Sequence, residues 1–249
     1  MTEQTNPLVI LPTYNEAENL GPMVQAILAL ERGFSVLVVD DNSPDGTGQI
    51  ADTLSQTHPE IHVLHRPVKV GLGPAYIAGF EWALAREYTH IFEMDCDFSH
   101  DPIDLPRFLD EVKEADLVIG SRYIPGGSTP DWTLKRRIIS RGGNLFSRAL
   151  LGLRTHDCTG GYRCYRREIL ERVPWEEICA HGYGFQVGAV FHLERMDARI
   201  REFPITFRDR RVGQSKMSAG IVKEAFAYVL QLAWRRIVPG TVTGRPASR

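Results

Sequence analysis

The chain has 249 residues, enough to bury a sizeable core in one large domain or two small ones. A net charge of −2 and 43% hydrophobic residues are ordinary for a globular protein and call for no nucleic-acid partner. That balance hides an asymmetry: 6 Lys/Arg stand against 20 Asp/Glu through Ser121 (net −14), and 23 against 11 after it (net +12). Cations are therefore expected on the first half and anionic groups on the second.

The four cysteines, Cys96, Cys158, Cys164 and Cys179, show no paired zinc spacing and are too few for a disulfide scaffold. They read as reduced, structural and cytosolic; "HDCTGGYRC" fits no common zinc site. The N-terminal "MTEQTNPLVI" lacks a basic region followed by a long apolar stretch, and no uninterrupted run reaches the roughly 18 apolar residues of a spanning helix. The expectation is a chain that does not cross a membrane by itself.

In chain order, "LVILP" is strand-like and precedes a helical pattern from Glu16 to Leu30. "SVLVVD" leads to a helix over Thr47 to Thr57, and "IHVLH" to one over Pro74 to Arg86. "HIFEM", a helix over Pro102 to Lys113 and "DLVIG" continue the alternation. Such alternation predicts an α/β fold with a mostly parallel sheet covered by helices and ligands at the carboxyl ends of the strands. After Gly120 comes a Gly/Pro-rich connection, "GSRYIPGGSTPDW", then a basic helix from Leu134 to Leu151. "RTHDCTGGYRCYRR" reads as a loop, followed by more helix, a strand "REFPITF", a basic loop "RDRRVGQSK" and a last helix from Met217 to Ile237. "PGTVTGRPASR" reads as a disordered tail.

Polar clusters fall after the strands. They are Pro12, Tyr14 and Glu16 in "LPTYNE"; Asp40, Asp41 and Asp45 in "VVDDNSPDGT"; Asp95 and Asp97; and Ser121 with Arg122 in "GSRY". A parallel sheet brings such ends to one edge. Taken singly, "DNSPDG" is good turn chemistry and Thr13 or Asn15 suits a helix cap. The glycines of "KVGLGPAYIAGF" lack a P-loop pattern and read as structural. Asp95 and Asp97 are sharper: paired carboxylates repel, and hard oxygen ligands at this spacing suit Mg²⁺ or Mn²⁺ together with substrate phosphates.

"VILPTYNEAENL", "VLVVDDNSPDGT", "KVGLGPAYIAGF", "MDCDFSHDP", "IGSRYIPGG" and "GQSKMS", in this order, resemble the polyprenol (dolichol) phosphate mannosyltransferases of glycosyltransferase family 2. The resemblance covers nearly the whole chain. It implies a single GT-A domain over residues 7–238, with a donor and metal half (7–121), an acceptor half (122–216) and a C-terminal helix (217–238), then the tail 239–249. It further implies Pro12, Tyr14, Glu16, Val39 and Asp41 at the nucleoside, and Asp95, Cys96 and Asp97 at the diphosphate. Arg122, Arg210 and Lys216 would complete the donor site. Arg136 and Ser140 would meet the lipid phosphate, with Asp157 in the acceptor loop. Asp95, Asp97 and Ser99 are the implied metal ligands, with Arg122 joining the two carboxylates in catalysis. Ser99 stands where relatives often have Gln, and Cys96 where Ala is commoner; the expected consequence is altered metal preference.

The implied reaction is metal-dependent, inverting transfer of mannose from GDP-mannose to a polyprenyl phosphate. An otherwise similar enzyme using UDP-glucose is the alternative. A receiver-type signalling module would explain "VVDD" but not the second half, and a DxDxT-like phosphatase normally carries its nucleophile near the first strand. The expected location is the cytoplasmic face of an anionic membrane, reached peripherally or through an integral-membrane partner. In the last helix Val222, Phe226, Val229, Ala233 and Ile237 share a helical spacing, with Trp234, Arg235 and Arg236 beside it. Packing of this stripe on the sheet is favoured over membrane contact.

Overall fold

The computed structural model describes residues 5–178, 183–210 and 219–237. Among these residues seven strands form one sheet in the order β3-β2-β1-β4-β6-β5-β7. They are β1 (Pro7–Thr13), β2 (Ser35–Asp40), β3 (Ile61–His65), β4 (His90–Glu93), β5 (Leu117–Ser121), β6 (Arg163–Arg166) and β7 (Ile200–Pro204). Only β6 runs against its neighbours, pairing antiparallel with both β4 and β5. The ends of β1, β2, β4, β5 and β7 therefore share one edge, as the alternating pattern predicts.

The helices are α1 (Ala17–Leu28), α2 (Thr47–Thr57), α3 (Leu72–Leu84), α4 (Leu105–Glu111), α5 (Leu134–Leu151), α6 (Arg167–Leu170), α7 (Tyr183–Arg195) and α8 (Ala219–Ile237). Alternation along β1 divides the core: Leu8 and Ile10 face one apolar cluster, Val9 and Leu11 the other. Helices α3, α7 and α8 cover the first face, and α1, α2 and α4 the second. Gly79 of α3 lies so close to β1 that a Cβ there would meet Ile10 at 2.8 Å, which supports the structural reading of that glycine run. Helix α5 is capped by the Thr133 hydroxyl, which accepts from the Arg136 N–H at 3.3 Å, and stops at Gly152 in the left-handed region (φ 69°).

Two expectations change. "RCYR" is strand β6, not loop; its arginine side chains reach partners inside the fold rather than water, a tertiary effect that local polarity conceals. On α8, Val229 and Ala233 are buried as expected, but Phe226 is half exposed and stacks on Phe146 of α5 at 4.4 Å. The side chains of Val222, Arg236 and Ile237, and the tail, lie outside the described residues.

Candidate active site

The loops after β1 and β2 lock together through two carboxylates that turn chemistry demands. Asp40 accepts from the hydroxyls of Thr13 (3.0 Å) and Ser43 (2.5 Å). Asp45 accepts from the Ala17 N–H at the start of α1 and the Thr47 N–H at the start of α2, both at 3.1 Å. Asp45, not Asn15 or Thr13, thus caps the first helix. Asp41 is different: it pairs with Arg66 at 2.7 Å. Desolvation raises its pKa, partly offset by Arg66. The Tyr14 ring lies under the Lys69 ammonium at 3.8 Å. Glu16 is buried and accepts from Asn19 at 2.8 Å. Pro12 pairs with Val39 across β1 and β2. The Val39 side chain belongs wholly to the core, and its main chain lies in the ladder between Pro12 and Leu64.

Beyond β4, the backbone turns sharply at Phe98 (φ 62°), and Asp97 accepts from the Ser99 N–H at 3.0 Å. Asp97 is buried and faces Arg210 at 3.3 Å; Asp95 is 35% exposed. Desolvation, then repulsion by Asp97, push the Asp95 pKa up to about 7. The arrangement is short of positive charge. Among the described residues no set of three His, Cys, Asp or Glu side chains gathers around a metal position. The Ser99 hydroxyl, however, is buried without a hydrogen-bond partner. Two carboxylates and an unsatisfied hydroxyl fit a hard divalent cation whose other ligands come from substrate phosphate and water. Cys96 between them is buried in the second core cluster.

His100 was not anticipated. Burial lowers its pKa to about 3, so the ring is neutral and its Nδ1 accepts from the Asp95 N–H at 3.1 Å. Its 4.0 Å approach to the Asp95 carboxylate is accordingly not an ion pair. Stacking on Tyr162 (4.8 Å) holds the ring in place.

Arg122 and Asp157, expected on donor and acceptor sides, form one buried unit. The guanidinium donates to Asp157 twice at 2.7 Å and to Thr159 at 2.8 Å. Asp157 is sealed from solvent, so its part is to hold Arg122. Glu202 of β7, also not anticipated, accepts from the Asp157 N–H at 2.9 Å. On α5, Arg136 pairs with Asp209, and the Ser140 and Tyr123 hydroxyls are 2.6 Å apart. Arg122, Arg136 and Ser140 line a cavity of about 360 Å³ whose remaining wall includes Ile139, Phe146, Phe226 and Val229 of α5 and α8. Lys216 lies outside the described residues.

The sequence profile described as "Glycosyl transferase family 2" matches residues 8–173. The undecaprenyl-phosphate mannosyltransferase of Micrococcus luteus is 51% identical over 89% of this chain and 91% of its own. The chain belongs to glycosyl transferase family 2. The polyprenol monophosphomannose synthase of Mycolicibacterium smegmatis is 47% identical to this glycosyltransferase, over 90% of this chain and 85% of that protein. A solved structure of glucosyl-3-phosphoglycerate synthase from Mycobacterium tuberculosis, in complex with Mn²⁺, UDP and phosphoglyceric acid, has a TM-score of 0.68 at 20% identity. It covers 97% of this chain and 82% of that one. That likeness speaks to the fold alone, which is of the GT-A type in this glycosyltransferase.

Proposed function

We propose that this glycosyltransferase transfers mannose from GDP-mannose to a polyprenyl phosphate, with inversion, giving a polyprenyl β-mannosyl phosphate and GDP. The observation that carries the reading is the cavity between α5 and α8, where an apolar wall meets Arg136 and Ser140 of α5 and Arg122, which follows β5 on the sheet edge where β4 leads to Asp95 and Asp97. An isoprenoid phosphate has that combination of properties. The relatives named above add support through the mannosyl and polyprenyl groups in their names.

Tyr14, Glu16, Asp41 and the Pro12–Val39 main chain would hold the nucleoside, with Arg210 and Lys216 toward the diphosphate. Asp95, Asp97 and the Ser99 hydroxyl would hold Mg²⁺ or Mn²⁺, which, when bound, supplies Lewis-acid neutralisation of the leaving diphosphate. Arg122 and Arg136 would orient the acceptor phosphate. One of its oxygens forms a bond to the anomeric carbon as the bond to the GDP oxygen breaks on the opposite face. An oxygen already anionic needs no protein base, so positioning and charge stabilisation supply the rate.

Among the described residues no helix is long and apolar enough to cross a membrane. We infer peripheral contact with an anionic bilayer through α5 and α8. Ile138 and Leu145 of the basic helix α5, and Leu230 and Trp234 of α8, are all exposed.

The test is transfer from labelled GDP-mannose and UDP-glucose to a short polyprenyl phosphate, with and without Mg²⁺ or Mn²⁺. Mannose transfer that requires the metal is expected. Asp95→Asn and Asp97→Asn should each lose transfer by orders of magnitude while keeping the wild-type circular dichroism. Near-normal turnover of either variant, or transfer from UDP-glucose alone, would contradict the reading.

A further inference from the structure

We infer that Trp132 is a binding residue for the acceptor phosphate, its indole N–H donating directly to a phosphate oxygen; this rests on the acceptor reading above. Trp132 is only 6% exposed and lines the cavity between α5 and α8. Its Nε1 is buried without a hydrogen-bond partner. Indole N–H is a donor only, and a buried donor left unmatched is destabilising. At a cavity wall such a group is open to an acceptor that arrives from outside the chain.

The surroundings name the class of that acceptor. The Arg136 guanidinium lies 4.2 Å from the Trp132 ring centre and that of Arg122 lies 5.7 Å from it. Phe207 meets the ring edge-on at 5.4 Å, so the indole is clamped. Two cations on one aromatic system make a place for an anion. Both guanidiniums already hold carboxylates, Arg122 that of Asp157 and Arg136 that of Asp209. The Ser140 hydroxyl is engaged with Tyr123. The indole N–H is a buried donor at this wall with no such engagement, and the exposed Lys135 of α5 adds a further cation beside it. An arriving phosphate monoester satisfies it, and an uncharged isoprenoid alcohol, lacking the charge, gains little from it.

The experiment uses [¹⁵N]Trp-labelled full-length protein, whose four tryptophans give four indole N–H resonances. Trp132→Phe, which keeps an aromatic ring for Arg136, assigns the peak; Phe substitutions at Trp82, Trp175 and Trp234 assign it by elimination if that variant does not fold. Titration with farnesyl phosphate should move the Trp132 resonance downfield, and farnesol should not. In turnover, Trp132→Phe should raise KM for farnesyl phosphate about ten-fold, with kcat within two-fold and the Kd for GDP-mannose unchanged. If wild-type protein binds farnesyl phosphate while the Trp132 resonance stays in place, or if Trp132→Phe keeps the wild-type KM, the indole only packs and the inference is overturned. If wild-type protein does not bind farnesyl phosphate at all, the acceptor reading itself fails and takes this inference with it.

Discussion

Phe98 shows how the carboxylate pair is held. Asn15 (φ 58°), Asn42 (φ 56°) and Phe98 (φ 62°) all adopt left-handed backbone just beyond strands of the parallel half. Asn tolerates that region; a bulky residue there carries about 1–2 kcal/mol of strain. The strain brings the Ser99 N–H back onto Asp97, and the Phe98 ring packs against the second core cluster. Phe98→Ala loses the packing and keeps the strain, whereas Phe98→Gly loses the packing and releases it. The Gly variant should therefore be more stable than the Ala variant by about 0.5–1 kcal/mol in urea denaturation, the reverse of the usual order. An Ala variant equal to or above Gly would remove strain from the account. Asp157 makes a second case. Burial would raise its pKa, but Arg122 outweighs burial and holds it below the ordinary carboxylate range. A depressed folded value means stabilisation that is complete above the unfolded value of about 3.9 and drains away as pH falls through the folded one. Asp157→Asn should lose about 3 kcal/mol at pH 7 by uncoupling Arg122, and its stability should fall less steeply on the acid side. Parallel acid limbs in the two proteins would contradict this.

At the scale of elements, β6 is where local reading and structure part. Arg163 is fully buried and donates to the carbonyls of Gly160 (2.8 Å), Cys158 (3.1 Å) and Gln186 (3.1 Å). It also electrostatically supports Glu93, which accepts from Tyr165 at 2.9 Å and Gln186 at 2.6 Å. Gly160 and Tyr165 are close to Arg163 in sequence, but Glu93 and Gln186 come from β4 and α7, so the local pattern does not announce a network that crosses these elements. Helices α2 and α5 and strand β3, by contrast, have the bounds their own patterns predict, since turn signals, caps and apolar spacing are local. The site divides in the same way. Asp95 and Asp97 were legible because paired carboxylates after an apolar strand are costly without a cation. His100 and Trp132 were not, because a lone His or Trp acquires meaning only from what tertiary packing sets around it. For the network, Arg163→Met should cost about 3–5 kcal/mol by taking the countercharge from Glu93, whose pKa burial already raises, and by leaving three buried carbonyls without their donor. Adding Glu93→Gln should recover part of that loss, since the neutral amide leaves no charge uncompensated and its oxygen still accepts from Tyr165 or Gln186. A double variant as unstable as the sum of the two single ones, measured in a denaturation cycle, would show no coupling between them.

Across the whole molecule, the opposed charges of the two halves take on a spatial meaning. The acidic half supplies the strand ends that carry Asp41, Asp95 and Asp97, and the basic half supplies α5 with Lys135, Arg136, Arg137, Arg141 and Arg148. Helix α8 is two-sided: Leu232 and Ala233 enter the core, while Trp234 is 62% exposed. The core-packing and membrane readings of this helix are therefore compatible, since different residues serve each. Anionic headgroups would attract the basic half over roughly a Debye length, about 10 Å at 0.1 M salt, and apolar insertion would hold what attraction brings. Sedimentation with vesicles containing anionic lipid should thus weaken as salt rises, and should be weaker still for Ile138→Gln combined with Trp234→Gln. Both side chains point outward, so the double variant should keep its fold and its GDP-mannose affinity. Vesicle binding unchanged by the double variant would remove this apolar surface from the account, and binding insensitive to salt would remove the basic helix. If both held while polyprenyl phosphate turnover continued, a separate membrane protein would have to bring the enzyme to its acceptor.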